Sequence, residues 1–298
     1  MFNKLNEISR LRTIESLFLR HCYPFDSRPP AARMQNIHRL LTALLLFTGQ
    51  IWSQPAASPA RARGYLTSEQ TSGVVRIVLP APTIGDARYQ ADMAIFRATR
   101  SLKGTPRWAL AQADDNLSIA GLLHAFRCAL GITLTPEQAP KLAALIARAY
   151  SDAGAAANVL KVRYQHKRPF QVAEGDVCVS PQGKQALEHS PDYPSGHAAL
   201  SWDAGLILAE MVPEATIDIL ARARAFGQSR IVCGVHNASA VEAGDMTATA
   251  VFAMQSESLE FQKDFDAART ELAQLRAHVN SKPTGCEAEA ETLLKNPY

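Results

Sequence analysis

The chain lacks a strong charge of either sign. Its 298 residues carry a formal net charge of only +3, which argues against a nucleic-acid footprint, since that requires a strongly basic face. Val/Ile-rich alternating stretches of useful strand length are missing, and no repeat period is visible. The His-Glu-x-x-His pattern and runs of close carboxylates are absent as well, so nothing has metal-ligand spacing. Beyond residue 62 no run of 20 apolar residues could cross a bilayer. Cysteines number five.

What is present suits an ordinary globular protein, 47% apolar and 20% charged, able to build a core without metal or disulfide staples. The first 62 residues differ from the rest. An Arg-rich stretch with a Pro pair, Pro29-Pro30, precedes Met34. Then follow a basic segment ending at Arg39, the apolar run Leu40 to Phe47, and small residues through Ala62. This is the layout of a secretory signal with a short n-region, h-region and cleavage site. It predicts translation from Met34, residues 1–62 as an extension and signal peptide, residues 63–298 as one domain, and a periplasmic or secreted product. Four of the five cysteines follow the expected cleavage point: Cys128, Cys178, Cys233 and Cys286. An even count in an exported chain permits two disulfides with three connectivities. Cys128 and Cys233 lie in apolar helical stretches and read equally as buried thiols. If a single bridge forms, Cys178–Cys286 is favoured.

Residues 64–82 read as extended and turn-rich; beyond them helical periodicity dominates. Helices are predicted at Asp86–Arg100, with Ala91, Ile95 and Ala98 sharing a face, from Thr105-Pro106 to about Asn116, and over Ile119–Leu130. Another opens at Thr135 and runs towards Lys161. The rest are predicted near 197–211, 214–230, 237–255 and 257–279. The fold class is all-α, a single-domain helical bundle with its active site between helix ends.

Three clusters carry the chemistry. In the first, Lys161 through His166 to Arg168-Pro169, the seven-residue separation of Lys161 and Arg168 is two helical turns, and Pro169 ends the helix at Arg168. On its own this reads as a solvated basic face. The second, Pro194-Ser195-Gly196-His197, feeds an apolar helix; free N–H groups and the helix dipole at such a start favour an anion. In the third, Ser229-Arg230 ends a helix, Gly234 breaks it and His236 opens the next. Together they gather three cations, two histidines and a helix N-terminus in a nearly neutral chain. That set suits a tetrahedral oxyanion, with Lys161, Arg168 and Arg230 neutralising charge and two imidazoles supplying nucleophile and proton donor.

The three clusters match, in order and spacing, Lys-x6-Arg-Pro, Pro-Ser-Gly-His and Ser-Arg-x5-His. In this the chain resembles the bacterial class A non-specific acid phosphatases of the type 2 phosphatidic acid phosphatase and vanadium haloperoxidase superfamily. Ser101 to Trp108 and Cys128 to Gly131 add to the likeness, which covers roughly residues 65–280. The resemblance implies an all-helical, metal-independent, cofactor-free periplasmic phosphomonoesterase, often a homodimer, acting on small phosphate monoesters with broad specificity and an acidic optimum. It implies His236 as the phosphorylated nucleophile and His197 as proton donor. Lys161, Arg168, Arg230, Ser195 and the Gly196 N–H would bind phosphate. One position departs: the family's Asp four residues after the nucleophile, which holds that imidazole, is Ala240. Ser239, Glu242, Asp245 or a backbone carbonyl are the candidates for its work, reduced activity is expected, and Ala240→Asp is expected to raise kcat. The competing readings are a degenerate phosphate-binding homologue and a vanadate-dependent haloperoxidase; the short single-domain chain speaks against the second.

Overall fold

A computed structural model describes residues 62–279 and 281–298. The predicted extension and signal, and its Met34 start, lie outside the described residues apart from Ala62. Among the described residues there are twelve α-helices and no strand. They are α1 (Ser68–Ser72), α2 (Ala87–Thr99), α3 (Pro106–Ala113), α4 (Ile119–Ala125), α5 (Arg127–Leu130), α6 (Pro140–Tyr164), α7 (Pro181–Glu188), α8 (Gly196–Met211), α9 (Thr216–Val232), α10 (Ala238–Ser256), α11 (Leu259–Ala277) and α12 (Cys286–Leu293). No described helix is long and apolar enough to cross a membrane.

The centre of the bundle is α8, packed on α9, α10 and α6. It is mostly apolar, as suits a helix surrounded by others, and buries Ala198, Ala204, Ile207, Leu208 and Met211 together with Ser201 and Asp203. Leu122, Phe126, Leu142, Leu145, Ile146, Phe226 and Phe261 complete the main core beside it. Truncating one such Leu to Ala costs about 2–5 kcal/mol. The first turn of α8 is pressed against α10 at Gly244, where an added Cβ would stand 2.6 Å from the Ser195 carbonyl oxygen and 2.9 Å from Ala198 Cβ. Only glycine admits that approach.

Several helix starts follow their sequence signals. Asp86, Ser118, Ser180 and Ser258 each accept a backbone N–H from the first turn that follows. Thr105 does so with Pro106 in the first turn. Other boundaries differ from expectation. The helix expected from Thr135 begins at Pro140, because the residue before a proline is kept out of the helical region; Ala139 sits at φ −124°, ψ 61°. Thr135 closes a separate turn instead, accepting from the Ala139 N–H at 3.0 Å. The Glu271 carboxylate takes the free N–H groups of Lys141 and Leu142. The stretch 119–130 is broken at Phe126. In α2 the buried residues are Asp92, Met93, Phe96 and Thr99, not the face of Ala91, Ile95 and Ala98. The buried polar side chain is satisfied, since Asp92 accepts from the Ser239 N–H (2.9 Å) and Oγ (2.5 Å) at the start of α10. Helices α1, α7 and α12 were not anticipated.

Both disulfides differ from the favoured pairing. Cys128–Cys286 ties α5 to α12, and Cys178–Cys233 ties the loop before α7 to the end of α9. Cys128 and Cys233, which also read as thiols, are therefore bridged. In the chain-entropy account such long loops contribute about 4–5 kcal/mol each.

Candidate active site

The three clusters, remote in sequence, meet where α6, α8, α9 and α10 end or begin. The first helix stops earlier than expected. Tyr164 is the last residue of α6, and Gln165 takes a left-handed conformation at φ 47°. Arg168 is extended, at φ −72°, ψ 153°, as its following proline requires. Lys161 and Arg168 thus do not share a helix face; the turn after α6 brings Arg168 back instead. Lys161 Nζ donates to the Pro191 carbonyl, and Arg168 Nε donates to the Ser190 carbonyl at 2.7 Å. Both cations grip the loop that leads into α8.

That loop ends at Ser195, which is fully buried and caps α8 by accepting from the Ala198 N–H. Its own N–H donates to the Ala240 carbonyl at 2.8 Å, fixing the turn on α10. A Cβ on Gly196 would meet nothing within 4 Å, so the first turn of α8 opens onto free space, as an anion cradle needs.

The Ser-Arg-x5-His spacing has a geometric reason. Arg230 lies in the last turn of α9, Gly234 turns the chain at φ +77°, and the N–H groups of Val235 and His236 both donate back to the Arg230 carbonyl. His236 therefore emerges directly before α10. Arg230 is fully buried. Its Nη2 pairs with Asp115 Oδ1 at 2.9 Å, while Nε and Nη1 have no partner within the protein. Buried guanidinium nitrogens left open in this way can receive an oxyanion.

His236 is 3% exposed. Its Nδ1 lies 2.7 Å from Asp192 Oδ1, and its Nε2 lies 3.1 Å from Arg168 Nη1. A guanidinium can only donate and a carboxylate can only accept, so Nδ1 carries the proton and Nε2 presents a lone pair. Burial, then the Arg168 charge, pushes the imidazole down to about 3. It is neutral through the acidic range. Burial would raise the Asp192 carboxyl, but hydrogen bonds from His166 and His236 outweigh it and hold the group below the usual range. His197 is pushed well down by burial and by Arg230 and His236; its Nε2 donates to the Asp115 carbonyl at 3.2 Å. Burial and Arg168 lower Lys161 to about 7, so its charge titrates and is not permanent.

All the residues expected from the sequence are thus gathered: Lys161, Arg168, Ser195, Gly196, His197, Arg230 and His236. Sequence reasoning missed Asp192, Asp115 and Asn237, and gave His166 no task. Of the candidates for the missing carboxylate, Ser239 bonds to Asp92, Glu242 is exposed, and Asp245 is pushed up to about 8 by burial and Glu242. None of them takes the Nδ1 proton. The acid one residue before Tyr193-Pro194 was the available signal. Behind the site, Ser229 Oγ donates to Asp114 Oδ2 at 2.6 Å and accepts from Arg107; Asp114 also binds Arg222 at 2.5 Å. Ser229 therefore braces the end of α9 and does not face the anion space. Among the described residues no three His, Cys, Asp or Glu side chains are grouped to hold a metal ion.

Residues 141–259 match the PAP2 superfamily. The chain is 39% identical over 206 residues to the acid phosphatase of Zymomonas mobilis, covering 68% of this chain and 76% of that one. It is 33% identical over 213 residues to the non-specific acid phosphatase of Providencia stuartii, covering 71% and 86%. Against the non-specific acid phosphatase of Salmonella typhimurium it is 30% identical over 194 residues, covering 65% and 77%. A transmembrane PAP2-type phosphatidylglycerolphosphate phosphatase from Bacillus subtilis aligns with a TM-score of 0.42 at 17% identity, over 63% of this chain and 89% of that one.

Proposed function

This chain belongs to the bacterial class A non-specific acid phosphatases of the PAP2 superfamily, and on that premise we propose that it hydrolyses phosphate monoesters by way of a phosphohistidine on Nε2 of His236, without a metal ion. The observation that carries this reading is the placement of His236 Nε2, 3.1 Å from Arg168 Nη1, in one site with Lys161 and the open nitrogens of Arg230. Phosphoryl transfer asks chiefly for positioning and charge neutralisation, which such a set supplies.

The phosphate oxygens sit against Arg168, Lys161, Arg230, the Ser195 hydroxyl and the Gly196 N–H. Nε2 attacks phosphorus, the P–O bond to the alcohol breaks, and His197 gives its proton to the departing oxygen. In the unliganded site burial, Arg230 and His236 disfavour the protonated form of His197; a phosphate dianion nearby favours it. Water then attacks phosphorus and passes a proton to His197. The P–N bond breaks, and inorganic phosphate and neutral His236 are restored.

Two disulfides support an oxidising compartment, in keeping with export to the periplasm behind a signal in residues 1–62. Hydrolysis of p-nitrophenyl phosphate across pH, with and without EDTA, tests the reading. Turnover unaffected by chelation supports it; phosphate binding without turnover at any pH contradicts it.

A further inference from the structure

Resting on the phosphohistidine reading, we propose that Asp192 is the positioning residue for the nucleophile, held by His166 and Asn237 so that a His166–Asp192–His236 chain does the work for which residue 240 offers only a methyl group.

The carboxylate of Asp192 is fully buried and receives four donors. Oδ1 accepts from His236 Nδ1 (2.7 Å) and the Asn237 N–H (3.3 Å); Oδ2 accepts from Asn237 Nδ2 (2.8 Å) and His166 Nδ1 (3.2 Å). A buried charge is tolerated only when its hydrogen-bonding capacity is filled in this way. The backbone fixes the acid from the other side, because the Asp192 N–H donates to the His166 carbonyl at 2.8 Å. His166 thus holds both ends of the residue. The phosphate-binding cations hold its neighbours, Lys161 on the Pro191 carbonyl and Arg168 on that of Ser190. Asp192 is therefore placed by groups that themselves belong to the site.

Its chemical value appears when Nε2 bonds to phosphorus. The imidazole then becomes cationic, and the carboxylate on Nδ1–H stabilises that charge as well as the tautomer. Asn at 192 keeps the size, but its amide cannot accept from His236, Asn237 and His166 together. Asp192→Asn should lower kcat by about 10²–10⁴, by analogy with triads that lose their orienting carboxylate, with KM within a few-fold. Inhibition by inorganic phosphate should stay near the parent value.

The experiment has two arms. Kinetics compare Asp192→Asn with the parent protein, after circular dichroism shows both folded. ¹⁵N-edited NMR of the parent at pH 5 reads the tautomer of His236, assigned by its loss in His236→Gln. The inference expects a neutral ring protonated on Nδ1, and loss of that signature in Asp192→Asn. An Nε2–H tautomer in the parent overturns it, as does a variant retaining kcat within threefold. The NMR arm requires no turnover, so it separates this inference from the phosphohistidine reading: an inactive parent with the Nδ1–H tautomer contradicts only the latter.

Discussion

Asp115 Oδ1 stands 2.9 Å from Arg230 Nη2 and 3.6 Å from His197 Nε2, so one carboxylate oxygen faces both the proposed phosphate-binding cation and the proposed proton donor. It favours the protonated imidazole and draws on a guanidinium that the phosphate also needs. Asp115→Asn should lower turnover of alkyl phosphates by roughly tenfold, as expected for loss of an opposite charge beside an acid. Nitrophenyl phosphate, whose leaving group hardly needs a proton, should be affected far less. A comparison of kcat across esters of graded leaving-group pKa checks this, and equal losses on all esters remove Asp115 from the proton-transfer step.

Two titrations bound the pH profile. His236 must be neutral to attack, and burial has lowered it to about 3. Lys161 must be charged to hold phosphate, and burial with Arg168 has lowered it to about 7. A base with a depressed pKa stays uncharged until pH falls through that value, and a cation loses its proton as pH rises through its own. For nitrophenyl phosphate, whose leaving group hardly needs the His197 proton, kcat/KM should therefore hold through the acidic range and fall above about pH 7. Lys161→Arg should move the alkaline limb upward by more than one pH unit, since a guanidinium stays protonated there. An unmoved limb assigns the fall to another group.

Chelation and oxyanion mimicry should separate cleanly. If Lys161, Arg168 and Arg230 neutralise the phosphoryl charge as proposed, EDTA should leave kcat unchanged. Vanadate, which adopts the geometry of the transferring phosphoryl group, should inhibit more strongly than phosphate. Activity lost to EDTA and restored by a divalent ion would sink the cation cluster as the source of neutralisation.

Ala240 is fully buried, in an apolar cluster that includes Leu160, Tyr193 and Val251. The sequence alone leads one to expect that Ala240→Asp raises kcat. With Asp192 already on His236 Nδ1, we expect the opposite sign, because a second carboxylate would not gain that donor. The variant should lose roughly 2–4 kcal/mol of stability, the scale for an unpaired buried polar group, and kcat should not rise. Urea unfolding and steady-state kinetics on the same preparation decide it.

The legible part of the site was its local part. Ser195 and Gly196 are set by a helix start, Arg230 and His236 by a helix end and a glycine turn, and each leaves a short pattern in the chain. Asp192 lies 44 residues from His236, and Asp115 lies 115 residues before Arg230 in the numbering. Neither pairing has a period or spacing to betray it, because only tertiary packing brings the partners together: α3 against α9 for Asp115, and the loop before α8 against the turn between α9 and α10 for Asp192. The same holds for the disulfides: Cys128 meets Cys286 across a separation of 158 residues. Most of the long helices were legible from apolar periodicity. The start of α6 was misplaced because Thr135-Pro136 imitates a helix entry, while Pro140 dictates the real one.

The central claim is a covalent bond between phosphorus and His236. Rapid quench of the enzyme with ³²P-labelled p-nitrophenyl phosphate in alkali, followed by peptide mapping, tests it most directly. A phosphohistidine bears a P–N bond that survives base and breaks in acid, so label should appear on the peptide containing His236. It should vanish on acid treatment and be absent from His236→Ala. A turning-over enzyme that carries no label under these conditions, or carries it on a base-labile serine ester, would contradict the account.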